Sequence, residues 1–527
     1  MLLKLISKAV KEIKSISKKL DLNINLKNPE HIKVRTLNWA KKQSILSAFC
    51  IALSLIYGIA FLAFLTQFNA LLGDQGLLPA SSFLDNLRAR DLGFFDNPTL
   101  FWVSCNSISL FLIGSLGLIL SISCLSGRQN ALVWFGIWVC YISIVHIGQV
   151  FYGYGWESLL LETGFFTIFL CPLKQFKIPR QKISTNIVSI LIIWILFRNM
   201  FGAGLIKLRG DTVWRDYTAL FYHFETQPIP NPLSWFFHHL PKVVLKSGVV
   251  FNHIAEIILP IFLFFPFFFR RIAAFGIILF QFSLILSGNL SWLNYVTIVQ
   301  CLPAFQSNLF DIKHIAKSIK IMKPFSFIQW IEKSPVFLIS FFTLFMSIYP
   351  IHNMLSPSQK MNASFNRFHL VNTYGAFGHV GKTRYELVVM GTSDKVITEE
   401  TIWEEYLFKG KPNRPSDSLP IIAPFHYRLD WQIWFAAMRP QISDPWLVHF
   451  VYKLLINDKK TTRLLKHNPF PGESPNFIKV DRYIYEFDEN RFSTGAIWVR
   501  RYVGSYCPPV KKDYPSLKAY LERFGWL

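Results

Sequence analysis

Residues 44–67 read SILSAFCIALSLIYGIAFLAFLTQ, and the segment contains no charged side chain. A helix needs roughly 20 mainly apolar residues to cross the hydrocarbon core of a bilayer, and this segment supplies them. Similar apolar runs recur along the chain. Together they predict an α-helical multi-pass membrane bundle of about nine spans, at 44–67, 99–125, 131–151, 154–172, 185–204, 248–269, 272–288, 290–306 and 334–354.

The composition supports a membrane bundle and divides the chain into three parts. Hydrophobic residues make up 52% of the 527 residues and charged residues 17%, against roughly 25% charged residues in soluble domains. The shortage of charge is concentrated in residues 44–305, where lipid-facing positions must be apolar. We therefore predict a basic cytoplasmic amphipathic segment (1–43), a transmembrane bundle (44–354) and an extracytoplasmic soluble domain (355–527).

The distribution of Lys and Arg predicts the orientation of the bundle. The net charge is +23, and much of it lies in residues 1–43 and in alternate short loops, whereas loops 152–154 and 288–290 contain no basic residue. Basic loops stay on the cytoplasmic side. We expect a cytoplasmic N-terminus and, with an odd number of spans, a lumenal or periplasmic C-terminal domain. This charge fits contact with anionic membrane lipids, and no nucleic-acid partner is predicted.

The C-terminal part alternates strand and helix patterns. Runs rich in Ile, Val, Tyr and Phe predict strands, and longer amphipathic runs predict helices. Cys507 is the single cysteine after residue 355, so no internal disulfide is expected there. The expected domain is mainly β and sandwich-like with a few helices, the strands at 385–389, 403–408, 477–487 and 495–503 and the helices at 427–438, 445–466 and 515–524.

Long stretches of the chain resemble the lipase maturation factor family. They include WESLLLETGFFTIFLCP (156–172), VNTYGAFG (371–378), TRYELVVMGTSD (383–394), APFHYRLDWQIWFAAM (423–438) and NPFPGESP (468–475). The resemblance implies a membrane factor that assists the folding and maturation of secreted clients such as lipases. It also implies an endoplasmic reticulum membrane location in a eukaryote, or an inner-membrane location in a bacterium, and no cofactor.

Polar residues inside the predicted spans are candidate site residues, because ionisable groups are costly in a membrane and commonly serve a function. Residues three apart on a helix share a face, as do His253 and Glu256, and His146 and the neighbouring Gln149. We predict that the set converges on one polar cavity that opens toward the C-terminal domain. The alternative is that Arg198 pairs with Glu157 or Glu162 only to neutralise the buried charge. The set consists of His146, Glu157, Glu162, Arg198, His253 and Glu256.

Lys207 is the candidate catalytic residue. Gly202-Ala203-Gly204 followed by Lys207, Asp211 and Trp214 is similar to the membrane part of vitamin K-dependent carboxylases, which implies a lysine base. The alternative is a lysine that extends to the lipid headgroups. A closed cavity in which Lys207 faces a carboxylate or histidine favours a membrane enzyme. Lys207 at the headgroups, beside an exposed aromatic surface within 371–440, favours a client-binding factor, and a transporter is a third hypothesis.

The densest group of polar and aromatic residues in the C-terminal part lies in the short segment 426–434. Arg and Trp are common at binding hot spots, so a client-binding surface is predicted there. In the alternative, an Arg–Asp pair and core Trp residues attach the helix to the sheet. The proline-rich strip 226–232 is either a client-binding strip or a rigid connection. No metal-site spacing is found. The client-binding candidates are His426, Arg428, Asp430, Trp431 and Trp434.

Overall fold

The computed structural model describes residues 45–176, 183–306, 309 and 327–527. The predicted amphipathic segment 1–43 and most of the basic segment 310–333 lie outside the described residues. Residues 45–527 belong to one compact unit, so the bundle and the C-terminal part pack against each other directly.

Helices lie at all nine predicted span positions, but only six in the described part of the chain are long and apolar enough to cross a membrane. Two of the six are made of consecutive helices, Lys242–Phe262 and Ser334–Leu355. The transmembrane helices begin with α1 (Ile45–Leu71), and the remaining helices of this part are α2 (Ala80–Arg88), α3 (Ser107–Leu125), α4 (Ala131–Ile147), α5 (Gly155–Ile168), α6 (Ile183–Gly210), α7 (Thr212–Arg215), α8 (Leu220–Thr226), α9 (Ser234–His238), α10 (Lys242–His253), α11 (Leu259–Phe262), α12 (Phe267–Ser287), α13 (Leu293–Cys301), α14 (Phe327–Met346) and α15 (Ile348–Leu355).

The prediction of about nine spans is corrected at three positions. α4, α5 and α13 are shorter than a bilayer-crossing helix requires. α4 ends because Gln149 adopts a positive φ of 50° and starts a separate turn, Gln149–Tyr152. This conformation is rare for residues other than glycine. The apolar run that predicted a span at 131–151 therefore contains a helix and a turn.

Two features of the sequence explain where α3 begins and how closely it packs on α1. The Asn106 side chain accepts hydrogen bonds from the backbone N–H groups of Ile108 and Ser109, which fixes the start of α3. Gly117 of α3 packs directly on the ring of Phe61 in α1. A Cβ atom at that position would lie 2.2 Å from the ring, so only glycine permits this close approach.

The C-terminal part contains one four-stranded antiparallel sheet in the order β2-β1-β3-β4. In chain order its elements are β1 (Arg384–Thr392), β2 (Glu404–Glu405), α16 (Arg428–Ala437), α17 (Pro445–Leu455), α18 (Lys459–Thr462), β3 (Phe477–Phe487), α19 (Arg491–Thr494), β4 (Trp498–Val510) and α20 (Pro515–Arg523).

The predicted sandwich is wrong in one respect, because the described residues form a single sheet instead of two packed sheets. The predicted strand 403–408 pairs with β1 only at Glu404 and Glu405. Helices supply the second layer in place of a second sheet, and α16 packs against β1. The core of this part therefore lies between sheet and helices, with Leu387, Val389, Ile433 and Leu447 all buried.

Candidate functional site

Arg428 and Glu157 form an ion pair between the C-terminal part and the bundle. Arg428 begins α16, Glu157 lies in the first turn of α5, and Arg428 Nη1 lies 2.8 Å from Glu157 Oε1. The Tyr141 hydroxyl donates a hydrogen bond to the other carboxylate oxygen. Both charged side chains are fully buried. Removing one partner of such a pair leaves an isolated buried charge, which is strongly unfavourable.

The turn Gln149–Tyr152, which follows α4, forms hydrogen bonds with helix α16. Arg428 Nη1 donates to the Phe151 carbonyl at 2.7 Å, and Gln432 Nε2 donates to the Val150 carbonyl at 2.6 Å. The guanidinium of Arg428 also lies 3.4 Å from the centre of the Tyr152 ring, within cation–π range. The interruption of the predicted span at 131–151 thus creates the acceptors that hold α16.

A second buried ion pair binds the loop 370–375. Arg198 of α6 pairs with Glu162 of α5, and Arg198 Nη1 donates to the Asn372 carbonyl at 2.6 Å. The same carboxylate accepts a hydrogen bond from the Asn372 backbone at 3.2 Å and from the Tyr374 hydroxyl at 2.6 Å. Arg198 therefore neutralises Glu162, as the alternative expectation held, and the pair also fixes a loop of the C-terminal part.

Lys207 lies inside the bundle and is 4% exposed. Its Nζ lies 2.6 Å from Glu256 Oε1 and donates to Asn252 Oδ1 at 3.0 Å. Asn252 in turn donates to the second oxygen of Glu256 at 3.0 Å. Trp214 covers the ammonium at 4.8 Å from its ring centre. The alternative of a lysine extended to the headgroups does not fit this geometry, because Lys207 faces a carboxylate.

A third group, which the sequence analysis missed, surrounds Arg384. Its guanidinium pairs with Glu386 and donates to the carbonyls of Glu225, Gln227 and Pro228. Lys411 Nζ lies 3.0 Å from the other oxygen of Glu386. No signal in the sequence links Arg384, the first residue of β1, to the proline-rich strip, because 156 positions separate it from Pro228.

The proline-rich strip 226–232 is consequently a buried connection. Gln227, Ile229 and Asn231 are each at most 5% exposed. The strip is held on one side by Arg384 and on the other by α12, whose Ser287 carbonyl accepts a hydrogen bond from Gln227 at 2.8 Å. Of the two alternatives for this strip, the geometry favours the rigid connection.

The predicted intramembrane set does not meet in one cavity. The three glutamates pair with three different cations: Glu157 with Arg428, Glu162 with Arg198, and Glu256 with Lys207. His146 is bonded to Asn97 and to the Arg367 carbonyl. His253 faces the Trp214 carbonyl at 3.0 Å, whereas Glu256, in the π-helical turn Ile254–Ile258 that follows His253, pairs with Lys207. The set is therefore divided among several contacts, most of which join the bundle to the C-terminal part.

Three of the five predicted client-binding residues, Arg428, Asp430 and Trp431, are buried in α16, and His426 is buried beside it. Arg428 pairs with Glu157 instead of Asp430. Asp430 Oδ1 accepts hydrogen bonds from the backbone of Gly410 at 2.5 Å and Lys411 at 3.1 Å. Burial raises the pKa of Asp430 to about 6, although these two hydrogen bonds oppose the shift. Burial, and then the charge of Arg428, lowers the pKa of His426 well below its ordinary value.

Trp434 differs, because it is half-buried and lines a cavity of about 380 Å³ between the bundle and the C-terminal part. We call this space the junction cavity. Met361, Phe435 and Met438 line it and are 43%, 38% and 50% exposed, so they form its mouth. The inner wall is also aromatic, with Tyr154, Trp156, Tyr374, Phe377 and Trp431. Apolar walls with few polar groups are typical of binding cavities.

The described residues contain no group of three or more His, Cys, Asp or Glu side chains placed to hold a metal ion. The arrangement instead offers a rigid aromatic cavity, fixed by buried ion pairs. Fold and site thus define a class: an integral membrane protein whose helical bundle carries a C-terminal domain of one antiparallel sheet and helices, with a cavity where the two meet.

The chain belongs to the lipase maturation factor family. The family's transmembrane domain matches residues 45–312, and its C-terminal domain matches residues 370–508. Lipase maturation factor 1 of Homo sapiens is 37% identical, over 95% of this chain and 92% of its own length. Lipase maturation factor 2 of Xenopus laevis is 30% identical, over 91% of this chain and 84% of its own length. No solved structure matches the chain.

Proposed function

We propose that the protein assists the folding and maturation of secreted client proteins, and that the junction cavity binds the client. The relatives are named lipase maturation factors, and we extend that client class, lipases, to this chain. The observation that carries the proposal is the mouth of the junction cavity, where Phe435 and Met438 are exposed beside the half-buried Trp434.

The chemistry of the mouth suits an incompletely folded client. Folding intermediates expose apolar surface that is later buried. Methionine is flexible and polarisable, so it adapts to different apolar partners, while Trp and Phe give large rigid contact areas. The buried pair of Arg428 with Glu157 holds α16 in place, so the mouth is formed before a client arrives.

The proposed location follows from the family and from the client class. The expected orientation assumed an odd number of spans, whereas six helices of the described residues are long and apolar enough to cross a membrane, so the count of spans no longer supports it. We propose that the C-terminal domain lies in the lumen of the endoplasmic reticulum in a eukaryote, or in the periplasm in a bacterium, because secreted clients are present on that side. Clients would then meet the junction cavity directly after translocation across the membrane.

The test is site-specific crosslinking in living cells. A photoreactive phenylalanine analogue at position 435 or 438 should crosslink to a newly exported lipase. The same analogue at position 492, which is 79% exposed and does not line the cavity, should not. Trp434→Ala should weaken the crosslink at 435. Equal crosslinking at 435 and 492, or none at 435 while lipase maturation continues, would overturn the proposal.

A membrane enzyme is the second candidate, because Lys207 faces Glu256 inside a cavity. A lysine base needs a free lone pair, whereas Nζ of Lys207 donates hydrogen bonds to both Glu256 and Asn252. That geometry supports an ion pair better than a base, and we rank the enzyme second for this reason. Transport has no supporting observation among the residues that the structure describes.

A further inference from the structure

A second cavity, of about 200 Å³, lies within the bundle around Lys207. We call it the bundle cavity. It is lined by residues from α6, α8, α9, α10, α12 and α13, and most of its wall is apolar, including Phe224, Phe237, Leu245, Phe280 and Leu284. The charged groups that line it, Lys207 and Glu256, form the ion pair described above, and we call this part of the wall the polar end. Other polar side chains of the wall carry no charge, among them Asn199, Gln281 and Thr297.

The polar end carries no net charge. The Lys207 ammonium is balanced by the Glu256 carboxylate at 2.6 Å. His223 also lines the cavity, and burial lowers its pKa to about 4, with the Lys207 charge as a smaller cause, so it is uncharged at neutral pH. An ion that entered this end would have no unpaired counter-charge to meet, and burying an unpaired charge is costly.

The polar end can still form hydrogen bonds to a neutral molecule. An ammonium has three donors and a carboxylate about four acceptor sites, and the contacts among Lys207, Asn252 and Glu256 use only part of them. A hydroxyl group or an ester carbonyl could therefore be bound there without disturbing the ion pair.

The mouth of the bundle cavity opens on a surface suited to lipid. Leu240 and Val244 line the cavity and are 37% and 48% exposed. Val243 beside them is 76% exposed, and Phe282 and Leu286 of α12 are also exposed. Lys242 and Lys246, in the first turns of α10, are exposed as well, and lysines near the end of a spanning helix extend to the lipid headgroups. The mouth therefore lies where the headgroups meet the acyl chains, and its apolar side chains face the acyl chains. A molecule in the bilayer could reach the cavity without passing through water.

We propose that the bundle cavity binds the glycerol end of an uncharged glycerolipid, such as a diacylglycerol, with the hydroxyl or ester group at Lys207 and Glu256, the first part of an acyl chain along the apolar wall, and the rest of the lipid in the bilayer. This inference does not rest on the proposed client-binding function, because Lys207, Glu256 and Val244 line the bundle cavity and not the junction cavity. The two cavities are neighbours, and five residues line both: Asn199, Leu290, Leu293, Ala376 and Phe377. The neutral ion pair at the end of an apolar cavity is the feature that selects the uncharged lipid.

Photocrosslinking of the full-length protein in nanodiscs tests the proposal. A diazirine-bearing diacylglycerol should label the protein, and unlabelled diacylglycerol should compete roughly tenfold better than phosphatidic acid. Val244→Trp fills the mouth and should abolish most of the labelling. Val243→Trp is the matched control, because Val243 is adjacent and exposed but does not line the cavity, and it should leave labelling unchanged.

A variant of Glu256 tests whether the neutral ion pair selects the uncharged lipid. Glu256→Gln leaves the Lys207 ammonium without a carboxylate, so competition should shift toward phosphatidic acid. The proposal is overturned if phosphatidic acid competes better in the unmodified protein, or if Val244→Trp and Val243→Trp are labelled equally. It is also overturned if Glu256→Gln elutes as a folded monodisperse protein with an unchanged lipid preference.

Discussion

Arg428 of helix α16 and Glu157 of helix α5 lie 271 positions apart in the chain, yet their side-chain atoms Nη1 and Oε1 are 2.8 Å apart and fully buried. This pair joins the two halves of the molecule beside the junction cavity, whose wall contains Trp156 and Trp431 from the same two helices. Together with the pair of Arg198 and Glu162, it fixes the position of α16 and of loop 370–375 on the bundle.

The first prediction concerns this pair. Arg428→Met should lower the stability of the protein by about 3–5 kcal/mol, because Glu157 is left as an unpaired buried charge. The double variant Arg428→Met/Glu157→Gln should recover much of the loss, since no uncompensated charge remains. Thermal unfolding in detergent measures both effects.

The control for this experiment is Arg88→Ala. Arg88 pairs with Asp85 on the surface, with both side chains more than half exposed, and such pairs contribute about 0–1 kcal/mol. If Arg428→Met were no more destabilising than Arg88→Ala, the buried pair would not hold α16 on the bundle.

The second prediction separates an ion pair at Lys207 from a catalytic base. Lys207→Met alone should reduce both protein stability and client maturation, because Glu256 then loses its cation. Lys207→Met/Glu256→Met should restore both, since removal of a whole buried pair is often neutral. A double variant that is as stable as the unmodified protein but fails to mature its client would support the enzyme instead.

The third prediction is a pH dependence that comes from Asp430. Its pKa in the folded protein is raised to about 6 from an ordinary value of 3.8. A raised carboxyl pKa contributes stability that is present below about pH 4 and lost as the pH rises through 6. This difference in pKa corresponds to roughly 3 kcal/mol. Asp430→Asn should therefore gain stability relative to the unmodified protein between pH 4 and 7, as followed by thermal unfolding.

The comparison at several pH values is its own control, because other titrating groups are shared by both proteins. The amide side chain in the Asp430→Asn variant keeps an oxygen that can accept hydrogen bonds from the backbone of Gly410 and Lys411. A constant stability difference between pH 4 and 7 would show that the burial of Asp430 does not favour its neutral form.

Local patterns in the sequence predicted much of the secondary structure. The run rich in Ile, Val, Tyr and Phe at 477–487 predicted a strand, and β3 covers Phe477–Phe487. The amphipathic run at 427–438 predicted a helix, and α16 covers Arg428–Ala437. Apolar length alone, however, gave too many full spans. At 131–151 it could not register the positive φ of Gln149, which ends the helix and exposes carbonyl groups to α16.

The pairing of buried charges was less predictable. Sequence proximity suggested that Arg428 would pair with Asp430, whereas the helix directs the two side chains to different neighbours. Arg428 reaches Glu157 in the bundle, and Asp430 faces the backbone of Gly410. Partners that are far apart in the chain depend on how the helices pack, and a single sequence carries no direct signal for that packing.

Client binding at the mouth of the junction cavity is the proposal on which the function depends. It is tested by the specific activity of a secreted lipase in cells that lack their own maturation factor. Phe435→Asp/Met438→Asp should lower the released activity at least roughly fivefold, because hot-spot residues dominate binding. Phe492→Asp/Val503→Asp alters two exposed residues outside the cavity and should leave it unchanged. Full activity with the cavity variant, at normal membrane levels, would contradict the proposal.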